Sequence, residues 1–164
     1  MVSTRPLDAV PGHAEVLFPR AFLYRWLARC KSSALPPDVC SFAEARFGAA
    51  FGDVRIRTGP AADGLCTVLG ARACTLGCDI VFADRAWAPL SEQGLRLLVH
   101  GLAQVLQQRA GFHLMPVRAP ARLVPVGDPD DACEQEAGRL AGEALDGGVC
   151  SPVTPDTSGA LRLC

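Results

Sequence analysis

His100 and Gln104 stand one helical turn apart in the run Leu95-Arg96-Leu97-Leu98-Val99-His100-Gly101-Leu102-Ala103-Gln104-Val105-Leu106-Gln107-Gln108. In an H-E-x-x-H helix, two histidines at this spacing grip a zinc ion, and the glutamate after the first deprotonates the metal-bound water. Here His100 keeps its residue type, while Gly101 occupies the glutamate position and Gln104 the second histidine position. A closed zinc site is worth about 10–16 kcal/mol over four ligands, so each ligand carries on the order of 3 kcal/mol. A neutral glutamine amide is a poor substitute for imidazole. Loss of the general base removes a further factor of roughly 10² to 10⁴ in rate even with metal bound. The run is expected to be a zinc-protease helix without its catalysis.

Two helices must position these residues. Ser91 is a good N-cap and Glu92 suits the first turn, so a motif helix over about 91–110 is expected, apolar at Leu95, Leu98, Val99, Leu102, Val105 and Leu106 and capped by Gly111. A glycine inside a helix costs about 1 kcal/mol relative to alanine, so Gly101 does not serve local stability. Asp128-Pro129-Asp130-Asp131 offers an N-cap, a proline at the first helical position and two acids in the first turn of a later helix, about 129–145. That helix is stopped by Gly147-Gly148. Cys133, Ala137, Leu140, Ala141 and Ala144 share one side of it, with Glu134 on the same inward edge. An inward carboxylate needs a partner, and His100 or Gln104 is the expected one. Read alone, His100 is a core histidine bonded to a carbonyl; His13 and His113 have no ligand-like spacing, and His113 is expected in a loop.

Upstream, Phe22, Leu23, Trp26 and Leu27 have helical spacing after Pro19. Pro36-Pro37-Asp38 starts a second helix that Gly48 closes, and Val54-Arg55-Ile56-Arg57 alternates as a half-buried strand. A third helix runs from Ala61 to about Leu69 and ends at Gly70; Ala71 to Leu76 and Asp79 to Phe82 then flank Gly77-Cys78 as a hairpin. The segment from Phe112 to Val126 reads as an extended connection, and 150–164, rich in Ser, Pro and Thr, as a loosely held tail.

The 164 residues are 49% hydrophobic and 20% charged, which suits one compact domain with a real core. A net charge of −1 without a basic run gives no footprint for nucleic acid or an anionic membrane. The first apolar stretch, Ala14 to Ala28, is broken by Glu15, Pro19, Arg20 and Arg25, so neither a signal peptide nor a membrane span is expected and a cytoplasmic location follows. Its eight cysteines are then free thiols, most of them small core residues, and Cys74 and Cys78 lack the two further ligands of a closed zinc site.

From Leu35 to Gln108 the chain resembles the core domain associated with extracellular contractile injection systems, a bacterial family. The residues that carry the resemblance are Leu35-Pro36, Phe47-Gly48-Ala49, Asp53-Val54-Arg55, Thr58-Gly59-Pro60, Ala71-Arg72-Ala73, Asp79-Ile80-Val81-Phe82, Pro89, Leu97-Leu98, His100 and Gln107-Gln108. The resemblance implies an α+β, zincin-like domain in which a later helix supplies a glutamate within an E-x-x-A-D pattern, here Glu134-Gln135-Glu136-Ala137-Gly138. It implies a vestigial and empty metal site of His100, Gln104 and Glu134. Gly101 stands where the base would be and Gly138 where an aspartate would orient a ligand.

The expected organisation is a helical extension over 1–34, the zincin-like domain over 35–146 and a flexible tail over 147–164. The expected function is a non-catalytic domain that binds protein partners, as a component or cargo of an injection particle, with no cofactor, no nucleic acid and no membrane. The alternative is a zinc hydrolase with a rearranged ligand set of His100, Glu134 and a cysteine such as Cys133 or a nearby thiol. Restoring the motif by Gly101→Glu with Gln104→His is expected to restore zinc binding if the framework is intact.

Overall fold

The structure is a computed structural model that describes residues 17–114, 123–128, 130–158 and 160–164. Its elements are β1 (Leu17–Pro19), α1 (Arg20–Leu27), β2 (Lys31–Ala34), α2 (Pro37–Phe47), β3 (Arg55–Thr58), α3 (Pro60–Leu69), β4 (Ala73–Leu76), β5 (Asp79–Phe82), α4 (Glu92–Leu114), β6 (Leu123–Pro125), α5 (Ala132–Leu145) and β7 (Arg162–Leu163). The fold is α+β.

A five-stranded sheet in the order β2-β3-β5-β4-β7 forms its centre, antiparallel except for the parallel pair β3 and β5. β4 and β5 are joined by the two-residue turn Gly77-Cys78. Gly77 has φ +60° and Cys78 is not left-handed, the arrangement of a type II′ hairpin, which follows the natural twist of the strands. Alternation along the strands divides the core between two faces. Ile56, Ile80 and Phe82 meet Val39 and Ala43 of α2 and Leu98, Leu102 and Val105 of α4. Cys74 and Val81 face the opposite layer, where Leu23 and Leu27 of α1 meet Leu65 and Cys66 of α3. α5 lies outside the sheet and packs its small residues Ala137, Ala141 and Ala144 on Val99 and Ala103 of α4. A separate pair, β1 and β6, is antiparallel.

Several boundaries differ from the sequence reading for identifiable reasons. α4 does not stop at Gly111: a Cβ there would lie 1.7 Å from the Asp156 carbonyl oxygen, so this glycine admits a crossing backbone and is no cap. His113 accordingly belongs to the last turn of α4 and not to a loop. α5 starts at Ala132, because the Asp131 carboxylate and not Asp128 accepts the Glu134 amide, at 2.9 Å. Asp128 instead closes a turn onto Asp130. The final segment is not a loose tail at its end, since Ala160, Leu161 and Arg162 are buried and β7 pairs with β4. Residues 31–34 likewise enter the sheet beside β3. His13, Pro129 and the stretch 115–122 lie outside the described residues.

Candidate functional site

α4 is oriented by its two apolar flanks, one on the sheet and one on α5, and the residues between those flanks point to where α4, α5 and β7 meet. His100, Gln104 and Gln107 fall there at i, i+4 and i+7, a polar stripe on an otherwise apolar helix. Ser91 starts the helix by accepting the Gly94 amide at 3.0 Å. Glu134 projects inward from the first turn of α5 and is only 6% exposed, while Gln104 is fully buried.

The three residues converge. Nε2 of His100 lies 3.1 Å from Oε2 of Glu134. Nε2 of Gln104 lies 3.0 and 2.8 Å from the two Glu134 oxygens, 3.0 Å from Nε2 of His100 and 3.3 Å from the Leu163 carbonyl. Two amide hydrogens serve the carboxylate and the carbonyl, which leaves the His100 nitrogen to donate its own hydrogen to Glu134. The amide oxygen accepts the Cys164 thiol hydrogen at 3.0 Å, so both ends of Gln104 are satisfied. Turning the amide over would set its oxygen against the carboxylate, and this fixes the orientation. His100 is thus bonded to a carboxylate, not to the carbonyl expected of a core histidine.

Zinc is held by lone pairs at about 2.0–2.2 Å. The Gln104 nitrogen occupies the place between His100 and Glu134 and presents hydrogens to it, so the partial positive charge of an amide faces the carboxylate where a cation would otherwise stand. These residues do not fit a zinc ion. Among the described residues no group of three or more His, Cys, Asp or Glu side chains gathers as a metal cluster. Cys133 is not part of the site: the charged groups that act on its thiol are Arg162, Asp156, Asp131 and Glu136, and Glu134 is not among them. The adjacent thiol is Cys164, and burial, reinforced by the Glu134 charge, pushes its pKa well up and holds it protonated. Cys74 and Cys78 diverge, one buried in the core and the other bonded to Asp53 at 3.2 Å. All eight cysteines are free; Cys30, Cys66 and Cys74 are buried.

Gly101 and Gly138 have opposite surroundings. A Cβ on Gly101 would lie 3.1 and 3.2 Å from methyl carbons of Ile80, itself fully buried, so a side chain at 101 requires Ile80 or α4 to give by a few tenths of an ångström. A Cβ on Gly138 would meet only Nδ1 of His100, at 4.0 Å.

Sequence reasoning missed a second network beside the first. Gln107 donates to the Cys133 carbonyl at 3.0 Å and to Glu136 at 2.7 Å, and Glu136 in turn accepts the Thr154 amide and hydroxyl. Buried Arg162 bonds Asp156 at 2.8 Å and also pairs with the Asp131 cap. Burial pushes the Asp156 carboxyl up, but bonds from Arg162 and Ser158 outweigh it and leave the group below the ordinary carboxylate range. The polar stripe continuing to Gln107 was the available signal; the Arg162 pairing, between distant segments, left none.

With an α+β domain and this site in place, comparison with known proteins adds one result. Residues 34–112 match the family model described as the eCIS core domain. The description suggests association with contractile injection systems. The matched segment contains His100, Gly101 and Gln104, while Glu134 and Gly138 lie beyond it. No curated protein and no solved structure matches the chain. No helix among the described residues is long and apolar enough to cross a membrane.

Proposed function

We propose that this chain is a non-catalytic, zincin-derived domain that binds a protein partner within or on a contractile injection particle. One observation carries the reading: the Gln104 amide nitrogen lies within hydrogen-bond distance of His100 and of both Glu134 oxygens, filling the place of a metal with a hydrogen donor. Gly101 supplies no base beside it. The eCIS core domain match supports the particle association, and the framework of two packed helices is what a binding module needs in order to be rigid.

Elemental analysis of purified wild type beside His100→Ala tests this reading, together with incubation against casein in zinc-containing buffer. The expected outcome is no stoichiometric zinc in either protein and no cleavage. One equivalent of zinc that disappears in His100→Ala, or zinc-dependent cleavage, would overturn it in favour of a rearranged zinc hydrolase. Cys164 would then be the thiol to test as substituted ligand, because it already touches Gln104.

A further inference from the structure

A cavity of about 250 Å³ opens beside the His100 network, lined by Arg72, Gln93, Arg96, Leu97, His100 and Cys164. Four of its residues follow one another along α4 at helical spacing, and Arg72 closes the opposite wall from the segment leading into β4, where its amide donates to the Cys164 carbonyl at 3.0 Å. The wall is therefore held by backbone bonds at one side and by a helix packed on the sheet at the other.

Its chemistry is one-sided. Both arginines are exposed, and neither pairs with a carboxylate among the described residues, although other arginines of the chain do: Arg57 with Asp79, Arg109 with Asp53, Arg139 with Glu143 and Arg162 with Asp156. No Asp or Glu side chain lines the cavity. Among side-chain carboxylates, Glu134 is buried behind His100 and already engaged by Gln104. Leu97 adds an apolar wall for a short hydrocarbon stem. Two arginines and a glutamine lining a cavity with such a wall match the chemistry of a carboxylate on a flexible arm.

We propose that this cavity receives an acidic side chain, glutamate or aspartate, from an extended peptide segment of the partner. The inference gives the partner's chemistry and rests on the reading of the chain as a protein-binding domain. Arg72 and Arg96 grip the carboxylate from two sides, Gln93 adds an amide hydrogen, and Leu97 covers the stem. His100 forms the inner wall and is held in place by Glu134.

The test is fluorescence anisotropy with a labelled, end-capped peptide alternating Glu and Leu, beside the same peptide with Gln for Glu, titrated with the full chain. The variants are Arg72→Gln and Arg96→Gln, both at exposed positions and so expected to leave the melting temperature unchanged. The expected result is binding of the Glu peptide that weakens about tenfold in each variant, about tenfold with the Gln peptide, and on raising the salt. Equal binding of the two peptides, no effect of either arginine substitution, or no binding at all would overturn the proposal. So would inorganic phosphate displacing the peptide at low concentration while the variants lose phosphate and not peptide, since the cavity would then hold small free anions. Metal analysis is independent of these outcomes, so stoichiometric zinc would refute the non-catalytic reading without deciding this one.

Discussion

Two buried polar networks flank the start of α5, and they balance a carboxylate in opposite ways. Around Arg162 the carboxylates of Asp131 and Asp156 meet a full positive charge. Around Gln104 the carboxylate of Glu134 meets an amide and an imidazole, with no arginine or lysine bonded to it. The first arrangement tolerates no loss of its cation, because a buried anion without a partner costs several kcal/mol. The second is held by dipoles, so its members are individually less critical, but it leaves no room for a second charge. The difference also separates what is structural from what faces a cavity: Arg162 is 3% exposed, whereas His100 reaches the cavity wall.

Placing a new charge on the amide side is the strongest way to break the contrast. Gly101→Glu would drive a carboxylate against Ile80 without any guanidinium to meet it, combining overpacking with a buried unpaired charge, and the expected loss is on the order of 5 kcal/mol. Soluble yield and thermal melting measure it; a variant as stable as wild type would mean that α4 can lift from the sheet. The same clash predicts that the double substitution with Gln104→His fails through folding before zinc binding can be read.

Removing the cation on the ionic side comes next. Arg162→Met should cost about 4 kcal/mol by urea denaturation, and adding Asp156→Asn should recover much of that loss. The pair also carries a pH signature. The Asp156 pKa is depressed in the fold, so its stabilisation is present above the unfolded value of about 3.9 and is lost as pH falls through the lower folded value. Wild type should therefore weaken below about pH 4, and the double variant should lose part of that acid limb; identical limbs would remove Asp156 from the account.

Gln104→His alone replaces the amide with a lone pair and sharpens the comparison from the other direction. It is expected to bind zinc with a Kd of about 1 μM and to gain about 2.7 kcal/mol of stability at a hundredfold excess over Kd, read as a zinc-dependent melting shift. No shift in a folded variant would mean that the helices are not set at a zincin spacing. The smallest change, Gln104→Leu, leaves Glu134 with His100 alone and should cost about 2 kcal/mol.

The helices of this fold were legible because their punctuation is local. Gly48 and Gly70 close α2 and α3 where the sequence says they should, and the Gly77-Cys78 turn produces the expected hairpin. Much of the site was legible as well, since the four-residue step and one inward glutamate suffice to bring His100, Gln104 and Glu134 together. What escaped detection depends on distant partners. β2 is Lys-Ser-Ser-Ala on an exposed edge and β7 has two residues, so neither carries an apolar alternation, and pairing alone makes them strands. Gly111 looks like a cap until the Asp156 carbonyl crosses it. Gly101 offers no hint of its neighbour Ile80.

The short strand β7 has a dynamic consequence. Its consecutive residues supply Arg162 to one network and the Leu163 carbonyl to the other, and the Cys164 amide bonds the Ala73 carbonyl on β4 at 2.8 Å. A single fluctuation that detaches this edge strand would release both networks and the inner cavity wall together. Amide hydrogen exchange of Ala73, Leu163 and Cys164 should then share one opening free energy with the first turn of α5, making the two networks a single cooperative unit despite their opposite chemistry.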